Sequence, residues 1–222
     1  EMRVAVIQGT SRKNRNALLF ESVKKAVQAS DEVLNFGIFE EENEQYSYVE
    51  IAILISFLIE SGAVDFVVTG CSSGQGMTLA CNSLPGLLCG YIETPQDAFL
   101  FGRINGGNVA SLPLGLNFGW QGELNLQYTL DKLFDGEFGM GYPENEAERK
   151  RLEASALKNL NRLTKRSWEE LLEQIPKDIL NKLLQRKIVM NAIINKESNK
   201  EFIRLLKAKA DKMDADRKWN KV

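Results

Sequence analysis

The 222-residue sequence predicts a doubly wound α/β fold: a parallel sheet of about five strands with helices on both faces, followed by a C-terminal α-helical extension. Three observations predict it. Short β-branched apolar runs alternate with helix-length segments through the first part of the chain. One of those runs, Asp65-Phe66-Val67-Val68-Thr69-Gly70-Cys71, is almost continuously apolar, as a strand covered on both faces must be. After Gly139-Met140-Gly141-Tyr142-Pro143 strand signals cease and only helical periodicity remains.

The elements follow in order. Residues 3–8 read as the first strand. Gly9-Thr10-Ser11-Arg12-Lys13-Asn14-Arg15-Asn16 reads as a loop, and Ala17 to Ala29 as a helix. Val33 to Gly37 is the second strand. The acidic run Glu40 to Glu44, ahead of Tyr46 and Tyr48, reads as a solvated loop. Ile51 to Ile59 is strongly apolar and long enough for a buried helix. The third strand ends at Cys71 and a helix runs from Met77 to about Asn82. Leu84-Pro85-Gly86 turns into a fourth strand, Leu87 to Tyr91. Thr94 and Pro95 fit the N-cap and first-turn positions of a helix through Phe101. Asn105-Gly106-Gly107-Asn108 turns into the strand Val109 to Leu112. Pro113 to Gly119 is a loop, and Trp120 to Phe134 a helix.

The extension reads as helices near 145–166, 168–174, 177–194 and 199–215. Ser167…Glu170 and Ser198…Glu201 match capping boxes, and Pro176 a helix start. The expected organisation is therefore 1–143 as the α/β domain and 144–222 as a helical extension for packing or oligomerisation. Charge divides at the same place. Residues 1–143 hold 8 Lys and Arg against 17 Asp and Glu, and residues 144–222 hold 20 against 13. Such halves attract one another within a subunit or across a dimer. The tail's lysines alternate with acids at helical spacing, which is a solvated face and not a nucleic-acid patch.

Composition excludes several classes. No apolar window is long enough to span a bilayer, so no membrane association is expected. The chain enters a strand at Arg3, leaving no stretch that reads as a leader. Three cysteines without metal-ligand spacing fit a reduced, cytoplasmic protein and offer no metal site. Histidine is absent. That removes imidazole acid–base chemistry and Ser-His triads, and leaves proton transfer to Cys, Asp, Glu, Lys or Tyr.

The chemistry concentrates where the third strand breaks into Cys71-Ser72-Ser73-Gly74-Gln75-Gly76-Met77-Thr78. A strand, a Gly/Ser turn and a helix N-terminus together form an anion cradle. A thiol beside a helix N-terminus has its pKa drawn toward the range of a general base. The plain alternative is that Cys71 is a small buried hydrophobe ending a strand, and on these residues alone the two readings balance. Gly74-x-Gly76 does not complete a dinucleotide fingerprint and follows the third strand instead of the first. The Lys-Ser/Thr pair of a P-loop is missing. Arg12, Lys13 and Arg15 lie just past the first strand, and between residues 26 and 143 the only cations are Arg103 and Lys132.

Cys71-x-x-Gly74-x-Gly76-Met77-Thr78-x-Ala80-x-Asn82, then Pro85-Gly86-Leu87 and Asn105-x-x-Asn108-Val109, resemble the sugar-phosphate isomerase family of ribose-5-phosphate isomerase B and the galactose-6-phosphate isomerase subunits. The resemblance covers roughly residues 3–135. It implies a Rossmann-like five-stranded sheet, no cofactor, a homodimer or higher homo-oligomer with active sites between subunits, and a small sugar or sugar phosphate as substrate. It implies aldose–ketose isomerisation with Cys71 as the base and an assisting hydroxyl on Ser73. Backbone amides from Ser73 through Gly74, Gln75, Gly76, Met77 and Thr78 would cradle the enediolate. Asn105 matches an asparagine that contacts sugar hydroxyls, with Asn108 and Thr10 beside the same substrate.

Departures from the family pattern shape the expectation. The ring-opening histidine before the Asn105 position is Ile104 here, and the Asp-His pair after the first strand is Gly9-Thr10. The phosphate-holding arginine after the last strand has no counterpart in Leu116-Asn117-Phe118-Gly119-Trp120. The expected enzyme is a divergent branch acting on an open-chain or short sugar, with or without a phosphate ester; for a phosphate, Arg12, Lys13 and Arg103 are the candidate substitute ligands. The second reading is a catalytically silent relative that binds a sugar or anion as a sensor or assembly partner.

Overall fold

The computed structural model describes residues 1–116 and 118–219; Asn117, in the loop after the last strand, lies outside the described residues. The chain order is β1 (Arg3–Ile7), α1 (Asn16–Ala26), β2 (Glu32–Gly37), α2 (Tyr48–Glu60), β3 (Phe66–Cys71), α3 (Gln75–Asn82), β4 (Cys89–Tyr91), α4 (Pro95–Leu100), β5 (Val109–Pro113) and α5 (Trp120–Leu133). Then come α6 (Ala147–Thr164), α7 (Trp168–Gln174), α8 (Lys177–Leu184), α9 (Lys187–Ile194) and α10 (Lys200–Trp219). The strands form one parallel five-stranded sheet in the order β2-β1-β3-β5-β4.

Alternation along the central strands builds two cores. Val4, Val6, Phe66 and Val68 point to one face, where Leu19 and Val23 of α1 and Leu126 and Leu130 of α5 meet them. Ala5, Ile7 and Val67 point to the other, into a cluster with α2. Both sides of β3 are thus filled, which is why its sequence lacks polar alternation.

The run Ile51–Ile59 of α2 is strongly apolar because the helix is covered on both sides. Its inner side lies on the sheet. Its outer side receives Trp168 of α7, Leu180 and Leu183 of α8, Met190 and Ile193 of α9, and Phe202 and Leu206 of α10. The Phe57 ring stands edge-on to Trp168 at 5.2 Å and tilted to Phe202 at 5.9 Å. A reciprocal capping box between Ser47 and Glu50 starts the helix. The extension therefore packs on the body, and the opposite charges meet within the subunit: Arg186 binds Glu42, and Lys182 binds Glu50 at 2.8 Å.

Local differences from the sequence expectation have physical causes. Residues 177–194 form two helices. Arg186 leaves helical geometry at ψ 85° so that its guanidinium reaches Glu42 and the Phe36 carbonyl. The acidic run is thereby tied down at Glu42 and is not simply solvated. Strand β4 starts at Cys89 because Leu87 and Leu88 bond instead to the side chains of Asn161 and Asn108. The first loop contains a 3₁₀ segment, Thr10–Arg15. The cap of α10 is Asn199, whose side chain accepts from Phe202 N, one residue past the expected Ser198.

Candidate functional site

The carboxyl ends of β1, β3, β4 and β5 share one edge of the sheet, and Cys71 stands in its centre. Cys71 is nine-tenths buried, its carbonyl accepting from Leu114 N as the β3–β5 ladder runs out. Beyond it Ser72 and Ser73 turn the chain into α3. Gly74 adopts φ +76°, a left-handed conformation costly for any residue with a side chain. A Cβ there would also lie 2.8 Å from Cε2 of Tyr91 and 3.0 Å from the Leu112 carbonyl carbon. The loop is pinned from below, since Ser111 Oγ donates to the Gly74 carbonyl at 2.8 Å.

The first turn of α3 leaves backbone N–H groups without helical partners, and they open at this edge beside Cys71. Ser73 Oγ accepts one of them, from Gln75 at 3.3 Å, and Thr78 Oγ1 donates to the Gly74 carbonyl at 2.8 Å. Met77 is fully buried beneath the turn. The result is a turn pinned at the Gly74 carbonyl, with Cys71 at its root.

The β1 loop forms the second wall. Gly9 N donates to the Gly70 carbonyl, bringing that loop against β3. Arg12 Nε donates to Ser72 Oγ at 3.0 Å, and the guanidinium lies against Gly115, where a Cβ would come within 2.8 Å of Nε. Arg12 is the cation that the fold brings to the Cys71 loop. Lys13 instead donates to the Glu42 carbonyl, and Arg15 lies 4.1 Å over the Phe118 ring. Thr10 is nearly buried and its hydroxyl accepts from Tyr46 N at 2.7 Å, which fastens the loop ahead of α2.

The other sequence candidates lie at the opposite end of the sheet. Arg103 is buried, donates to the Leu133 and Asp135 carbonyls at and just past the C-terminal end of α5, and packs 5.3 Å from the Phe138 ring. Burial lowers its pKa, against the pull of Asp135 and Glu137. It caps a helix there and does not face Cys71. Asn108 spends its side chain on Leu88 N and the Gly86 carbonyl, holding the turn before β4. Asn105 is exposed at the end of a π-helical turn, Phe101–Asn105, ahead of β5. Since Cys71 pairs with Pro113 at the far end of β5, one protomer separates Asn105 from the thiol by about the length of a five-residue strand, roughly 16 Å.

Residues 13–125 match the family model described as Ribose/Galactose Isomerase, just over half of the chain. The chain belongs to the ribose/galactose isomerase family. No curated protein sequence matches it. Among solved structures, this family member resembles a 4-deoxy-L-threo-5-hexosulose-uronate ketol-isomerase complexed with a tartrate, at 36% identity and TM-score 0.88 over 95% of this chain and 100% of that one. It resembles ribose-5-phosphate isomerase from Vibrio parahaemolyticus at 33% identity and TM-score 0.87, over 94% and 99%. The type B ribose 5-phosphate isomerase of Trypanosoma cruzi shares the fold, at 18% identity and TM-score 0.60, and covers 72% of this chain and 97% of its own. The first two matches extend through most of the C-terminal helices.

Two aromatic residues at the site were not singled out from the sequence. The Tyr48 ring, half exposed, covers Gly76, and the Tyr91 ring covers Gly74. Their only sequence signal is place: Tyr48 opens α2 and Tyr91 ends β4, both at the ligand-binding edge of an open α/β sheet. A hydrogen bond with Cys89, together with burial, pushes the Cys81 thiol well up, which keeps it protonated.

Proposed function

We propose that this isomerase-family protein interconverts an open-chain keto-aldehyde sugar acid and its ketose by proton transfer through an enediolate, with Cys71 as the base. The observation that carries the reading is the position of Cys71 at the root of the Gly74 turn and the start of α3. A carbon-bound proton next to a carbonyl meets the Cys71 sulfur. The negative charge that develops on oxygen meets those backbone N–H groups of the 73–78 turn that neither Ser73 Oγ nor the Gly74 carbonyl takes up, already oriented by the turn. Ser73 holds that turn through Gln75 N.

The substrate class follows from what the site lacks and from the 36% identical relative. The name of that protein's substrate describes a six-carbon acid with an aldehyde, a second carbonyl at C5, a carboxylate and no hydroxyl at C4. Such a molecule has neither the O4 nor the O5 hydroxyl with which an aldohexose closes a ring on C1. It needs no ring-opening acid, in keeping with Ile104 and the absence of histidine. It carries a carboxylate and no phosphate, in keeping with Arg12 at the Cys71 loop, whose planar fork suits a carboxylate. The working unit is a homodimer, in which Asn105 of the partner subunit reaches the substrate that its own Cys71 cannot share with it.

The test is NMR in deuterated water with 4-deoxy-L-threo-5-hexosulose uronate and, in parallel, ribose 5-phosphate. The expected result is conversion of the uronate with deuterium incorporated at the carbon that receives the proton, and loss of both by at least about 100-fold in Cys71→Ala. Conversion of ribose 5-phosphate alone overturns the substrate class. Undiminished exchange in Cys71→Ala overturns the base. Binding without exchange of either compound favours the silent relative.

A further inference from the structure

We propose that Tyr91 is a second catalytic residue, moving the oxygen-bound proton of the enediolate while Cys71 moves the carbon-bound one, and that Glu93 positions it. The proposal rests on the isomerase reading above. Ketol isomerisation relocates two protons, one from carbon to the adjacent carbon and one from the hydroxyl oxygen to the former carbonyl oxygen. A thiol at the carbon cannot also serve both oxygens, and this chain has no imidazole to do so.

The geometry brings a phenol to the turn that Cys71 begins. Tyr91 is the last residue of β4, level with Ser111 of β5 and Thr69 of β3, so it rises at the same edge as Cys71. The loop that Cys71 begins crosses β5, where Ser111 holds the Gly74 carbonyl, and comes to rest on the Tyr91 ring. The left-handed Gly74 is what lets ring and backbone touch. The phenol donates to Glu93 Oε2 at 3.1 Å, and the Gln75 side chain stands beside it.

Glu93 is suited to hold it. The neighbouring acid, Asp97, is spent on the start of α4, where it accepts from Thr94 N, Thr94 Oγ1 and Glu93 N. Glu93 is anchored by its own backbone, whose carbonyl accepts from Asn125 at 3.0 Å. Burial and the bond to Glu93 both raise the Tyr91 pKa, so the phenol keeps its proton at neutral pH.

The step balances. Cys71 takes the carbon-bound proton, the C–H electron pair becomes the enediolate double bond, and the carbonyl pair moves onto oxygen. Tyr91 turns from Glu93, gives its proton to that oxygen and takes the proton of the neighbouring hydroxyl, which regenerates the phenol. The second oxygen now carries the charge. It collapses to the new carbonyl as the Cys71 thiol returns its proton to the adjacent carbon. No oxidant, reductant or further proton is consumed.

The experiment separates the two protons. Wild type, Tyr91→Phe, Glu93→Gln and Glu93→Ala are incubated with 4-deoxy-L-threo-5-hexosulose uronate in deuterated water, and deuterium in recovered substrate is followed alongside conversion. Tyr91→Phe is expected to keep exchange within a few-fold of wild type while conversion falls about 100-fold. Glu93→Gln, which still accepts from the phenol, is expected to convert faster than Glu93→Ala. Conversion at the wild-type rate in Tyr91→Phe, or exchange and conversion falling together, overturns the role of Tyr91. Equal rates in the two Glu93 variants overturn that of Glu93. A wild type that neither exchanges nor converts sinks the isomerase reading itself, a different failure from that of an active wild type matched by Tyr91→Phe.

Discussion

Arg186, from the C-terminal helices, is bound to Glu42, from the loop after β2, by 2.6 and 3.0 Å hydrogen bonds across 144 residues of sequence. The same guanidinium donates to the Phe36 carbonyl at 2.6 Å and lies 4.9 Å from the Tyr46 ring. Its side chain is almost fully buried and that of Glu42 is about one-fifth exposed. Tyr46 N in turn holds Thr10, at the mouth of the site. One buried ion pair thus links the extension to the wall that carries Arg12.

This pair predicts acid sensitivity. Burial works to raise the Glu42 pKa, but the bonds from Arg186 and from Phe39 N outweigh it and hold the carboxyl below its ordinary value. A carboxylate depressed in the folded state adds stability that is complete above its unfolded pKa and is lost as the pH falls through the folded value. Urea midpoints measured between roughly pH 3 and 6 are therefore expected to fall less steeply with acid in Glu42→Gln than in wild type. At neutral pH the same variant is less stable, because it leaves the Arg186 charge buried without a counterion. Parallel pH dependence in the two proteins would remove Glu42 as the linked group.

The apolar contact between body and extension predicts a shared transition. Trp168 fills the space between Phe57 of α2 and Phe202 of α10, with ring centroids 5.2 and 5.5 Å away. Trp168→Ala should cost about 3–5 kcal/mol and lower the melting temperature. Circular dichroism should still give one transition, because α2 loses cover and helix packing together. Two separated transitions, with the α/β part unmoved, would establish 1–143 and 144–222 as independently stable units.

What the sequence made legible was whatever depends on near neighbours. The strand pattern, the Thr94-Pro95 and Ser167 caps, the Cys71 turn and the buried character of α2 all follow from periodicity and turn chemistry within a few residues. What covers α2 was not legible, because Trp168 and Phe202 are more than a hundred residues away from it. Arg103, Lys13 and Thr10 sit near the motifs in sequence but spend their polar atoms on carbonyls or an amide elsewhere. Residue type states what a side chain offers, and only the packed chain decides who accepts it. Tyr91 was hidden for the converse reason: a tyrosine ending an edge strand reads as ordinary β preference until the ring is seen on Gly74.

The seat of Arg12 predicts a mutation that acts at one remove. Gly115 leaves room for the guanidinium, and a Cβ there would crowd Nε at 2.8 Å and the Ser72 carbonyl at 2.8 Å. Gly115→Ala should therefore displace Arg12 and raise KM for a carboxylate substrate, as Arg12→Met should. About tenfold to a hundredfold is the expected size for losing one charge-assisted pair. Arg12→Lys should restore little, since a lysine cannot hold Ser72 through Nε while presenting a fork. An unchanged KM in Arg12→Met would remove this residue from substrate binding.

The separation of Asn105 from Cys71 predicts complementation between subunits. Both residues belong to one chain but lie at opposite ends of β5, so a site that uses both must borrow one from a second copy. In a two-fold dimer each copy lends what it receives. Cys71→Ala and Asn105→Ala homodimers would each contain two damaged sites. A heterodimer of the two concentrates both lesions in one site and leaves the other whole. Two variants inactive alone, unfolded together and refolded as a mixture, should recover about a quarter of wild-type activity. If light scattering finds dimers and the mixture stays inactive, Asn105 does not serve across the interface. A monomer with full activity would mean that Cys71 works without Asn105 at all.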